Sequence, residues 1–80
     1  MQERRTSSRN RSYKGGQINA EGYPSVDCIV RNLTDVGACL EVDSRLVQAN
    51  CFGLVIKPEY LNRSCEVVWR EPRRIGVKFV

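Results

Sequence analysis

The chain has 80 residues, 28% charged and 8% aromatic, and carries a formal net charge of +4. This is enough for one small domain with a modest core, and no apolar run approaches the roughly eighteen residues that span a bilayer. The opening residues, Met1-Gln2-Glu3-Arg4-Arg5, lack the apolar stretch of a secretory signal, so a cytoplasmic location is expected.

The positive charge is concentrated at one end. Residues 1–14 hold Arg4, Arg5, Arg9, Arg11 and Lys14 against Glu3 alone, whereas residues 15–80 hold eight basic and eight acidic side chains. A basic arm on a neutral body points to an anionic partner met by the arm. Residues 1–12 are also rich in serine and nearly devoid of apolar side chains. Such a segment cannot bury enough surface to offset its ordering entropy, so a flexible arm is expected over 1–12 and a folded domain over 13–80.

From Lys14 the pattern becomes that of strands. A first strand is expected over 14–20, with Gly15-Gly16 marking a bulge or bend, followed by a turn at Glu21-Gly22-Tyr23-Pro24. Val26-Asp27-Cys28-Ile29-Val30-Arg31 and Ala38-Cys39-Leu40-Glu41-Val42 alternate with period two, and Asn32-Leu33-Thr34-Asp35-Val36-Gly37 connects them as a turn. Residues 45–50 lead to Cys51-Phe52-Gly53-Leu54-Val55-Ile56-Lys57, where Phe52, Leu54 and Ile56 share a face and Pro58 ends the strand. A loop over 59–62 precedes a strand over 63–70, with Cys65, Val67 and Trp69 directed inward and Glu66, Val68 and Arg70 outward. After the turn Glu71-Pro72-Arg73, Ile75, Val77 and Phe79 complete the core. Short strands at regular spacing, with no sustained helical period and no substantial C-terminal helix, predict an all-β fold: a six-stranded antiparallel β-barrel, closed so that no edge is exposed.

The chemistry available is narrow. The four cysteines stand apart at 28, 39, 51 and 65, there is no Cys-x-x-Cys pair, and the chain has no histidine. No metal site and no cofactor is expected, and the cysteines read as free thiols in a reducing compartment, Cys28 and Cys65 inward and Cys39 and Cys51 outward. With no histidine base and no glycine-framed nucleophile, an enzyme is not expected. Arg5 and Arg9 form an Arg-x-x-x-Arg pair; guanidinium forks match phosphate oxygens and the O6/N7 edge of guanine. Individually, Asn32, Thr34 and Gly37 read as ordinary turn residues.

Together, an Arg-x-x-x-Arg arm ahead of a small barrel and Asn-x-Thr-x-x-Gly between its early strands resemble the PilZ domain family. That family's motifs are Arg-x-x-x-Arg and Asp/Asn-x-Ser/Ala-x-x-Gly. The ending Cys65-Glu66-Val67-Val68-Trp69-Arg70 and Arg74-Ile75-Gly76-Val77-Lys78-Phe79 is similar to the family's last two strands. The resemblance implies a PilZ-like split barrel and a bacterial, cytoplasmic receptor for the second messenger cyclic di-GMP. It assigns Arg5 and Arg9 to a clamp, and Asn32, Thr34 and Gly37 to a platform on the barrel. Arg4, just before the first motif arginine, implies an intercalated pair of ligand molecules. Thr34 stands where serine is usual and keeps the hydroxyl. A downstream protein partner is implied. From composition, no membrane is expected. Nucleic acid met by the basic arm is a weaker rival, because the body is neutral and has few aromatics for a stacking platform, Trp69 being phased inward. The alternative is a PilZ-like protein-interaction adaptor that does not bind the nucleotide.

Overall fold

A computed structural model describes residues 13–80; the expectations placed on residues 1–12, including Arg4, Arg5 and Arg9, lie outside the described residues. Six strands follow in chain order: β1 Lys14–Asn19, β2 Val26–Arg31, β3 Gly37–Glu41, β4 Cys51–Ile56, β5 Leu61–Glu71 and β6 Arg74–Phe79. A single 3-10 turn, Ser44–Leu46, lies between β3 and β4 and is capped by Asp43. No α-helix occurs among the described residues, and no helix there is long and apolar enough to cross a membrane.

The strands close into an antiparallel barrel in the order β1-β2-β3-β6-β5-β4, with β4 pairing back onto β1. The six-stranded closed barrel read from the sequence is therefore the observed fold. Every strand has two neighbours, which satisfies both rows of backbone polar groups and leaves no edge open. Ile18, Val30, Leu40, Phe52, Leu54, Ile56, Ile75 and Val77 form the centre of the core, where alternation along each strand directs them. Truncating Leu54, which is fully buried, to alanine falls in the class that costs about 2–5 kcal/mol.

Four details differ from the sequence expectation. Gly15-Gly16 form no bulge: β1 pairs continuously with β2 from Lys14 opposite Val30 to Ile18 opposite Val26. Gly16 is needed for space, since a Cβ there would stand 2.8 Å from Val30 Cγ2 and 3.0 Å from Cys28 Sγ. The expected loop over 59–62 is shorter, because β5 already begins at Leu61 and runs through Glu71.

The third difference is one of phase. The ladder between β5 and β6 shifts between Val67 and Trp69, so Val67 faces Val77, Trp69 faces Gly76 and Arg70 faces Ile75. The extra residue, Val68, reverses the alternation. Trp69 is thereby placed on the outer surface, 41% exposed, instead of in the core. Arg70 takes the inward phase opposite Ile75, and its guanidinium donates to the carbonyls of Val47 and Ala49 and to Asn50 Oδ1, at 2.5, 2.9 and 3.1 Å. The fourth difference is Cys39. It follows the outer phase, next to inward Leu40, but is covered and only 8% exposed. Cys28 and Cys65 are buried and Cys51 is exposed, as their phases require, and all four are free thiols.

Candidate functional site

The connection from β2 to β3 is built by its own side chains. Asn32 has φ +53°, in the left-handed region that asparagine tolerates better than most residues. Two residues on, Thr34 closes the turn. Its Oγ1 accepts from the backbone N–H of Val36 and Gly37 and donates to the Gly37 carbonyl, each at 3.2 Å. The Thr34 N–H donates to the same carbonyl at 2.9 Å. One hydroxyl offers one donor and two acceptor positions, so this turn uses its full capacity.

Gly37 opens β3 opposite Lys78 of β6. A Cβ at this position would collide with the Val77 carbonyl oxygen. Glycine is thus required by the close approach of two strands. The structure brings Asn32, Thr34 and Gly37 together at one end of the barrel, where a cleft of about 340 Å³ opens between Leu33, Thr34, Asp35, Ile56, Leu61 and Arg63. Arg63 reaches this rim from β5, donating to the Asp35 carbonyl at 3.2 Å and lying 4.5 Å from the Phe79 ring centroid.

The root of the arm meets the same rim. Lys14 pairs with Val30, which brings Tyr13 alongside Arg31, and the Arg31 guanidinium stands 4.7 Å from the Tyr13 ring centroid. Arg31 directly precedes Asn32. It also forms an ion pair with Glu41, which holds its proton more tightly than usual through the hydrogen bond the carboxylate accepts. Its Nε is buried with no hydrogen-bond partner. Lys14 is turned towards Glu59, with 3.5 Å between charged atoms.

A larger cleft of about 850 Å³ lies at the opposite end of β3, between Glu41, Val42, Asp43, Arg45, Pro72, Arg73 and Arg74. Its size does not make it the better site. Arg45 is held by Asp43 and Arg74 by Glu71, each pair at 2.8 Å, so two of its three cations already have carboxylate partners. The smaller cleft is walled in part by the Asn32–Gly37 loop, through Leu33, Thr34 and Asp35. Among the described residues no group of three histidine, cysteine or carboxylate side chains is placed to hold a metal.

Sequence reading missed Tyr13, Arg31 and Arg63. The first two carried a usable signal, because Tyr13 adjoins the first strand and Arg31 adjoins the loop. Pairing the strands by one register would have set them side by side. Arg63 had none, since its approach to Asp35 depends on closure of the barrel. Comparisons with protein-family models, with curated proteins and with solved structures find no match to this chain, so the likeness to PilZ domains rests on the motif residues themselves.

Proposed function

We propose that this chain is a cyclic di-GMP receptor of the PilZ type, a binding module and not an enzyme, acting in the bacterial cytoplasm. The observation that supports the reading is the contact of Arg31 with Tyr13, which sets the first residue after the basic segment beside Asn32. Arg9 lies four positions before Tyr13, a span of at most about 14 Å, so the second motif arginine is within reach of that rim. A cationic segment gains most from a compact dianion, whose charge offsets the entropy lost when the segment is held in one place. Closure of the arm over the ligand changes the surface at one end of the barrel, and a downstream protein reads that change. With Arg4 beside Arg5, the ligand is an intercalated pair.

In this scheme Thr34 acts through the loop. Its hydroxyl is fully used by the turn, so it fixes the backbone of residues 34–37 and presents Asn32 and the neighbouring peptide groups to a guanine. The same observation favours a second reading, an adaptor that binds protein partners and no nucleotide, because that hydroxyl has no capacity left for a ligand.

Calorimetric titration with cyclic di-GMP separates the two. The receptor gives a saturable heat that weakens with added salt and is lost in Arg5→Ala and Arg9→Ala, with the melting temperature unchanged. No heat at high-micromolar ligand, together with capture of a partner that is indifferent to the nucleotide, identifies the adaptor.

A further inference from the structure

Among the described residues, Arg31 has one carboxylate partner and one donor without an acceptor. Its Nη1 pairs with Glu41, while its Nε is the buried side-chain nitrogen without an acceptor among the described residues. A buried N–H without an acceptor is costly and rare in native structures. The side chains of Arg31 and Glu41 are 33% and 34% exposed, so solvent and solutes reach the ion pair. Tyr13, the first described residue after the arm, covers the guanidinium, and Asn32 follows it directly. Arg31 is the one basic residue of strands β2 and β3, so an anion seated at the rim beside Asn32 meets its guanidinium there.

We propose that Arg31 is the barrel's own anion-binding residue: on ligand binding its guanidinium turns from Glu41 to a phosphodiester oxygen of the nucleotide, which also satisfies Nε. Glu41 is the resting counter-ion that the ligand displaces. A guanidinium presents its donors as a planar fork, so a phosphodiester can engage Nε and a terminal nitrogen together, which a single carboxylate oxygen on Nη1 does not. The released Glu41 carboxylate lies in the wall of the larger cleft at the far end of β3, so the exchange alters the charge of a second surface. This role rests on the cyclic di-GMP reading of the rim.

The test is a titration of cyclic di-GMP into the full chain and into Arg31→Gln, Arg31→Lys and Glu41→Gln, with melting temperatures alongside. Arg31→Gln weakens binding roughly ten- to a hundredfold, the effect of removing one charge-assisted hydrogen bond. Arg31→Lys keeps the charge but lacks the fork and falls between Arg31→Gln and the unaltered chain. Glu41→Gln removes the competitor and tightens binding several-fold. A purely structural ion pair gives a different pattern, in which Arg31→Gln and Glu41→Gln weaken binding alike and lower the melting temperature alike; that result overturns the proposal. Binding by the unaltered chain with Arg31→Gln equal to it overturns this proposal and leaves the receptor reading standing. No binding by the unaltered chain overturns the receptor reading and this role with it. Should Arg31→Gln not fold, the Arg31 Nε–H resonance of the unaltered chain decides: it shifts on addition of ligand, and a resonance that stays in place overturns the exchange.

Discussion

The Trp69 indole occupies the space that a side chain at Gly76 would need: the two residues are cross-strand partners, and a Cβ on Gly76 would collide with Nε1. The indole thus lies across β6 on the outer wall, with Arg74 5.9 Å from its centroid.

Gly76→Ala displaces that indole into solvent. Trp69 is the chain's one tryptophan, so its emission shifts to longer wavelength, while far-ultraviolet circular dichroism keeps the barrel signal. Because the obstruction is a surface side chain able to swing away, the loss of stability stays near the low end of overpacking, about 1 kcal/mol by denaturant titration.

Gly37→Ala meets an obstacle that cannot swing. The new Cβ collides with the Val77 carbonyl oxygen, so β3 and β6 must separate for the methyl to fit. The expected loss is about 3 kcal/mol, at the upper end of overpacking costs. Hydrogen exchange locates it: the Phe79 amide, which donates to the Val36 carbonyl at 2.8 Å, loses protection ahead of the β1–β2 ladder.

The four thiols separate by reactivity. Burial pushes the Cys28 thiol up to about 12, with Asp27 adding to the effect, and the Cys65 thiol up to about 11. Both stay protonated at neutral pH, and thiolate is the reacting form. A maleimide therefore labels exposed Cys51 first in the folded protein, while Cys28, Cys65 and covered Cys39 react only on unfolding. Mass spectrometry before and after denaturant counts them.

Asp43 gives the acid response a defined origin. The side chain and backbone N–H of Arg45 hold its carboxyl at about 2, below its ordinary 3.8. A depressed carboxylate contributes stability above the unfolded value and loses it as pH falls through the folded one. The contribution is therefore complete above pH 3.8 and disappears towards pH 2. Asp43→Asn flattens the melting-temperature profile across that window and leaves its shape above it unchanged.

Period-two alternation makes the β2–β3 hairpin, the inward face of β4 and the closed barrel legible in the sequence, because these depend on local pattern and on the need to hide edges. Asn32, Thr34 and Gly37 are legible as a turn for the same reason, each acting on backbone within a few residues or on one adjacent strand. Trp69 and Arg70 are misread where local pattern fails. The run through Val67, Val68 and Trp69 contains no glycine or proline to announce an added residue, and only pairing against β6 shows where the phase reverses. Gly15-Gly16 fail in the opposite sense: a breaker pair suggests irregularity, yet the cause is Val30 across the ladder. The contact of Tyr13 with Arg31 depends on register between β1 and β2, which neither segment states alone.

The position of β6 between β3 and β5 bears on how the domain is made. A nascent chain can form the β2–β3 and β4–β5 hairpins as they leave the ribosome, since their partners are neighbours in sequence. The sheet cannot shut until Arg74–Phe79 has emerged, because this stretch supplies the partner for both β3 and β5. Until then those two strands present bare flanks, as incomplete sheets do, and depend on prompt emergence of β6 or on a chaperone. A ribosome that stalls before Arg74–Phe79 has emerged holds the domain as a sheet that cannot yet close.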